Sequence, residues 1–129
     1  DIDVEFYLLT CGFLQIPRAM SIADEFEATW GSEFHYDEDG AVAFAKQVVT
    51  FPEKVRYLLS LAKGLSPEGP NEPEDVYREV EDHEWHVPLD QVVYVGDGGS
   101  DMPVFQLLND RGGLAMRGAR SPCSRAMDG

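Results

Sequence analysis

The stretch Val92-Val93-Tyr94-Val95-Gly96-Asp97-Gly98-Gly99-Ser100-Asp101-Met102-Pro103 sets the reading of everything around it. Four apolar residues in a row suit a strand buried on both faces, and Gly96 marks where that strand ends. Pro103 fits the first turn of a helix, and Val104, Leu107 and Leu108 follow at helical spacing. A further short apolar run, Leu114-Ala115-Met116, comes next. The spacing predicts strand, Gly-rich turn, helix and strand, which is the signature of parallel pairing through a crossover.

In such a sheet ligands collect at the carboxyl ends of the strands. Asp97 stands at that point, with Gly96, Gly98 and Gly99 leaving room for tight turning and for a ligand. A hard carboxylate oxygen placed there suits Mg²⁺. Asp101 is positioned to cap the following helix and to support Asp97, or the water around a metal, from behind. The plainer reading of the same letters is a Gly-rich turn with a capping Asp, and spacing alone leaves both open.

Working outward, Val4 to Leu9 reads as a second apolar strand that stops at Thr10-Cys11-Gly12, so small and polar residues again meet a strand end. From Leu14 to Trp30, residues Ile16, Met20, Ala23, Phe26 and Trp30 recur every three to four positions, which predicts a helix broken near Ser21. Glu33 to Tyr36 and Ala41 to Phe44 flank Asp37-Glu38-Asp39-Gly40, as a β-hairpin would. Thr50 and Glu53 have capping-box spacing, Pro52 suits a first turn, and Val55, Leu58, Leu59 and Ala62 form one stripe, so a helix is expected over Pro52 to Lys63 with Gly64 ending it. Between Glu68 and Asp90 there are nine acidic residues and one basic, Arg78, with prolines interspersed. Residues 65 to 90 are therefore expected to form an acidic surface connection holding one short helix, and residues 118 to 129 a tail.

The chain has 129 residues, of which 43% are hydrophobic, enough for one domain with a core. Residues 1 to 129 are accordingly read as a single domain. Ten Lys and Arg against twenty-four Asp and Glu give a net charge of -14, which disfavours nucleic acid as a partner. No apolar run reaches the ~20 residues of a membrane span. Cys11 and Cys123 show no CxxC spacing, so a reducing, cytoplasmic setting is the default expectation. The opening Asp1-Ile2-Asp3, without Met or a leader pattern, suggests a piece of something longer.

Val92 to Pro103 resembles the fourth motif of the haloacid dehalogenase-like (HAD) superfamily, mostly Mg²⁺-dependent phosphatases, written hhhhGDxxxD. Tyr7-Leu8-Leu9-Thr10-Cys11-Gly12 is similar to the second motif, an apolar strand ending in Ser or Thr, and Lys54 near a helix start resembles the third. All three stand in the family's order. The resemblance spans about Val4 to Met116 and is nearest to phosphoserine-phosphatase-like members. It implies a three-layer Rossmann-like α/β fold, a parallel sheet with helices on both faces and a small hairpin. It also implies hydrolysis of a small phosphorylated metabolite through an aspartyl-phosphate. Thr10, Cys11, Gly12 and Lys54 would then contact phosphate, with Thr10 offering its hydroxyl and backbone N–H and Lys54 a cation beside the phosphoryl oxygens. Asp97 would ligate Mg²⁺, with Asp101 supporting it, and Thr10, Lys54, Asp97 and Asp101 would form the catalytic set. Lys46 is the runner-up for the third motif, though its place at the end of the hairpin suits a solvated lysine better.

The departure from the family is equally specific. Its first motif, an apolar strand ending in DxDxT or DxDxV, supplies the nucleophile, and no such strand occurs here. Asp1-Ile2-Asp3-Val4 precedes an apolar run instead of following one. The family's cap is missing as well. The expected sheet therefore lacks its central strand, leaving a gap or a direct pairing of the Thr10 strand with the Asp97 strand. Two readings follow: the core portion of a phosphatase whose nucleophile lies outside these residues, or an inactive HAD-like module that binds phosphate or a partner. An upstream apolar strand ending in DxDxT or DxDxV, followed by a cap, would decide for the enzyme.

Other patterns carry less. His83-Glu84-Trp85-His86 is one residue short of H-E-x-x-H. Asp37-Glu38-Asp39-Gly40 has no Glu at the twelfth loop position of an EF-hand and reads as a turn. Gly98-Gly99-Ser100 fails G-x-S-x-G at Met102.

Overall fold

The computed structural model describes residues 1–67, 69 and 73–118. The chain is mixed α/β and divides into two compact units, Asp1–Thr50 and Phe51–Gly129, each carrying one small sheet. In place of the single parallel sheet expected from sequence there are therefore two. Among the described residues, the strand that carries Thr10 and the strand that precedes Asp97 belong to different sheets.

In the first unit, β1 (Tyr7–Phe13) pairs in parallel with β2 (Ala28–Tyr36), which pairs antiparallel with β3 (Val42–Gln47). The first strand was expected over Val4 to Leu9. It begins at Tyr7 and runs through Thr10, Cys11 and Gly12, with a register shift between Leu9 and Phe13. The cause is the neighbouring strand. A Cβ on Gly31 would come within 2.9 Å of Thr10 Cγ2 and 3.0 Å of the Gly12 carbonyl, so glycine lets the backbones close. Buried Ser32 then donates from Oγ to the Cys11 carbonyl at 3.0 Å and accepts the Val49 N–H at 3.1 Å.

The helix expected over Leu14 to Trp30 is reduced to one short element, α1 (Gln15–Arg18), and a 3-10 turn at Ala23–Glu25. Ala28, Thr29 and Trp30 belong to β2, where Trp30 stacks on Tyr7 with ring centroids 5.6 Å apart. The apolar stripe was misleading, because Ile16 and Met20 face solvent. The hairpin forms as expected. Asp37 Oδ1 accepts the N–H groups of Asp39 and Ala41 at 3.0 and 2.9 Å, and Gly40 takes φ +80°, so the acidic tetrad is a turn.

The second unit is built on a parallel β-α-β segment. β4 (Val93–Gly96) leads through a 3-10 turn at Gly99–Asp101 into α4 (Met102–Arg111) and returns as β5 (Leu114–Arg117), in register Val93↔Leu114 to Gly96↔Arg117. Gly112 closes α4 at φ +79°. α2 (Phe51–Ala62) packs against this segment, and Leu58, Ala62, Leu89, Val104 and Leu108 form the core with Val92 and Tyr94 against it. The acidic connection holds α3 (Pro73–Tyr77) and a 3-10 turn at Asp82–Glu84. Lys63 secures it: Nζ donates to the carbonyls of Val76, at 2.6 Å, and of Arg78, and lies 5.7 Å from the Trp85 ring centroid. Burial is the main reason the Lys63 ammonium titrates below its ordinary range.

Alternation in β4 turns Val92 and Tyr94 inward and leaves Val93 and Val95 exposed, and their register partners Leu114 and Met116 are exposed beside them. The sheet is covered on one face. The tail from residue 119 onward, with Cys123, lies outside the described residues. Among the described residues, no helix is long and apolar enough to cross a membrane.

Candidate functional site

The site is assembled from α2 and from the turn between β4 and α4. Lys54, the fourth residue of α2, places Nζ 2.6 Å from Oδ1 of Asp101, and both side chains are buried, at 6% and 4% exposure. The same Nζ donates to Ser100 Oγ at 3.2 Å, and the Tyr94 hydroxyl donates to Asp101 Oδ1 at 2.8 Å. On the other side of the carboxylate, Oδ2 accepts the backbone N–H of Asp97 at 3.2 Å and of Gly98 at 3.3 Å. A carboxylate has about four acceptor positions, and all of those on Asp101 are filled.

This alters what Asp101 does. It occupies the position preceding α4, yet its side chain makes no cap hydrogen bond to that helix. The carboxylate turns back instead and holds the Asp97 turn from behind, while Lys54 neutralises it. Burial pushes its carboxyl up, but the hydrogen bonds from Lys54 and Tyr94, the Lys54 charge and the Gly98 N–H outweigh that and hold it below the ordinary value of 3.8.

Gly96 also changes role. A Cβ there would sit 2.6 Å from Cγ and Oδ2 of Asp101, so the room it leaves is filled by that carboxylate and not by a ligand. Gly98 and Gly99 have no atom within 4 Å of the corresponding position, and the open space lies there. Asp97, beside them, is exposed.

Of the residues singled out from sequence, Lys54, Asp97 and Asp101 are thus brought together in the second unit. Thr10, Cys11 and Gly12 lie in the first unit, where Thr10 Oγ1 accepts the Gly12 N–H at 2.9 Å. Lys46 lies on β3 and pairs with Glu33 at 3.4 Å, an exposed lysine as its position suggested. His83 and His86 are both exposed. Two participants escaped the sequence reading, Tyr94 and Ser100. Tyr94 had one signal, a hydroxyl-bearing residue at an inward position of an otherwise aliphatic strand, two residues before the conspicuous Gly96.

Lys54 contributes one positive charge, and Asp97 with Asp101 two negative ones, so the trio carries a net negative charge that favours a cation. Asp97 fits the role of a Mg²⁺ ligand, with an exposed hard carboxylate at a strand end. Asp101 does not touch such an ion directly, because its oxygens are occupied. Among the described residues, no three His, Cys, Asp or Glu side chains cluster, so Asp97 would share any ion with ligands from elsewhere. Compared with protein-family models, with curated proteins and with solved structures, the chain matches none.

Proposed function

We propose that this chain is the carboxyl-terminal part of the core of a HAD-type, Mg²⁺-dependent phosphomonoester hydrolase. One observation supports that reading above the others. Lys54 and Asp101, matched separately to the family's third and fourth motifs and 47 positions apart in sequence, form one buried ion pair behind Asp97. A chance GDxxxD turn gives no reason for a buried lysine to arrive from a distant helix, since an unpaired buried charge is costly and the pair itself is weak evidence for stability.

In this reading the nucleophilic carboxylate comes from a first-motif strand outside these residues. It attacks phosphorus, the ester oxygen leaves, and water then cleaves the acyl phosphate. Asp97 would hold Mg²⁺, which when bound offsets the charge on the phosphoryl oxygens. Asp101 fixes the Asp97 backbone through two N–H groups, and Lys54 keeps Asp101 ionised and oriented. Thr10 receives its phosphoryl contact from the resemblance alone. The three-layer Rossmann-like sheet belongs to the same proposal: the missing strand, with a covering helix, would shield Val93, Val95, Leu114 and Met116, because parallel sheets are normally buried on both faces.

The test is turnover of a generic phosphomonoester by a longer polypeptide that carries the first motif, with and without Asp97→Asn. Mg²⁺-dependent hydrolysis that falls by about a hundredfold or more in the variant is expected, as for loss of a group acting on transition-state charge. Hydrolysis insensitive to both Mg²⁺ and Asp97 would point to the inactive-module reading of this chain.

A further inference from the structure

β3 (Val42–Gln47) is the outer strand of the first unit's sheet, whose order is β1-β2-β3. No strand lies beyond it among the described residues, so one side of its backbone is open to a neighbour. The opposite edge differs. β1 is half-buried from Tyr7 to Cys11, whereas every residue of β3 except Gln47 is exposed, Val42 by 56% and Phe44 by 58%. Edge strands are usually guarded by charge or proline. β3 has no proline, and its single charge, Lys46, pairs with Glu33 at 3.4 Å. From Ala41 to Pro52 there is no acidic residue to repel a second copy, in a chain that carries twenty-four.

Charge along this strand is self-complementary. The turn that opens it holds Asp37, Glu38 and Asp39, all exposed, and at its far end Lys46 and Arg18 flank one carboxylate, Glu33. A second β3 laid antiparallel brings the acidic turn of each copy beside the basic end of the other, whereas a parallel one sets like charges together. We infer that β3 is a dimerisation edge, where two copies of this chain pair β3 to β3, antiparallel about a two-fold axis, and join their hairpins into one sheet. The contact is isologous, so each attractive pair occurs twice. Val42 and Phe44 of each copy gain apolar cross-strand neighbours, a pairing that aromatic and β-branched residues favour. Two register shifts of β3 against β2 twist the strand, so the ladder is short and the dimer dissociates on dilution. The edge is separate from the phosphoryl reading above, for none of its residues belongs to the Lys54, Asp97 and Asp101 group.

The test is sedimentation velocity of the 129-residue chain over a range of concentrations, with a thermal melt of each variant. Wild type is expected to pass from monomer to dimer as concentration rises. Lys46→Glu, and separately Glu38→Lys combined with Asp39→Lys, should each weaken association about tenfold or more, since like charges then meet at both ends. Asp37 is left in place because it holds the turn. Mixed in equal amounts, the two variants should pair with one another about as tightly as wild type does with itself, because every end contact again joins opposite charges. That recovery also shows that both variants fold. A wild type that stays monomeric throughout overturns the inference and leaves the edge to a strand of another protein. A dimer that neither variant weakens also overturns it, by placing the contact elsewhere, the exposed face of β4 and β5 included. Loss in both variants without recovery in the mixture overturns the antiparallel pairing.

Discussion

At the scale of single residues, Asp101 is the most constrained group of the second unit. Removing it by Asp101→Ala leaves Lys54 buried without its counter-charge, and the expected cost is about 3–5 kcal/mol in denaturant unfolding. Combining it with Lys54→Met should cost less than the two single changes added together, since they share one interaction. The sign of the pH dependence follows from the lowered carboxyl of Asp101. Its contribution is present in full above the ordinary value of 3.8 and is lost as pH falls below it through the lowered value. Unfolding free energy measured against pH should therefore drop more steeply below pH 3.8 in wild type than in Asp101→Asn, which has no proton to take up. Glycine substitutions separate close packing from open space. Gly96→Ala should destabilise by about 1–3 kcal/mol, because its Cβ meets the Asp101 carboxylate at 2.6 Å. Gly98→Ala should stay within about 0.5 kcal/mol of wild type, having nothing to meet and an extended backbone at φ -147°. Residue type and spacing drew attention to Asp97 and Asp101 in the sequence alone, and the family resemblance drew attention to Lys54. Which oxygen faced which donor was not legible, because it depends on α2 lying beside the turn, and linear spacing carries no such information.

At the scale of elements, legibility followed the strength of local signals. The helix over Pro52 to Lys63 corresponds to α2 within one residue at each end, since capping residues, an apolar stripe and Gly64 at φ +69° all agree. The hairpin was equally legible, since Asp37 and Gly40 specify the turn themselves. The three-to-four spacing from Leu14 to Trp30 does not mark a helix, because it arises among residues that do not share a buried face and because Thr29 and Trp30 pair with Leu8 and Leu9 of β1. The pairing of β1 past Thr10 was hidden as well, since it is Gly31, twenty-one positions away, that permits it. An element-scale prediction concerns α3. Lys63→Ala removes the donor to the Val76 and Arg78 carbonyls, and hydrogen exchange at the Arg78 amide, which bonds the Glu74 carbonyl at 2.9 Å, should quicken. An overall loss of about 1–3 kcal/mol is expected for hydrogen bonds to a charged group. Unchanged exchange would show that α3 is held by Val76 burial alone.

For the molecule as a whole, the two small sheets and the exposed face of β4 and β5 bear on how the chain would act. The alternation of strand and helix patterns, with the apolar content, indicated an α/β chain with a core, and that much is observed. It did not indicate that β1 and β4 would enter different sheets, because strand order is set by pairing partners that apolar runs do not name. The exposed quartet Val93, Val95, Leu114 and Met116 is what a parallel sheet presents when its second cover is absent. If a first-motif strand and its helix complete that sheet, the same addition supplies the nucleophile. The most direct measurement compares Mg²⁺-dependent hydrolysis of a generic phosphomonoester by the 129-residue chain and by the same chain preceded by an apolar strand ending in DxDxT or DxDxV. The account predicts no turnover above a protein-free blank for the first, and turnover abolished by Asp97→Asn for the second. Hydrolysis by the 129-residue chain itself, lost in Asp97→Asn, would contradict it, for the nucleophile would then lie within the chain.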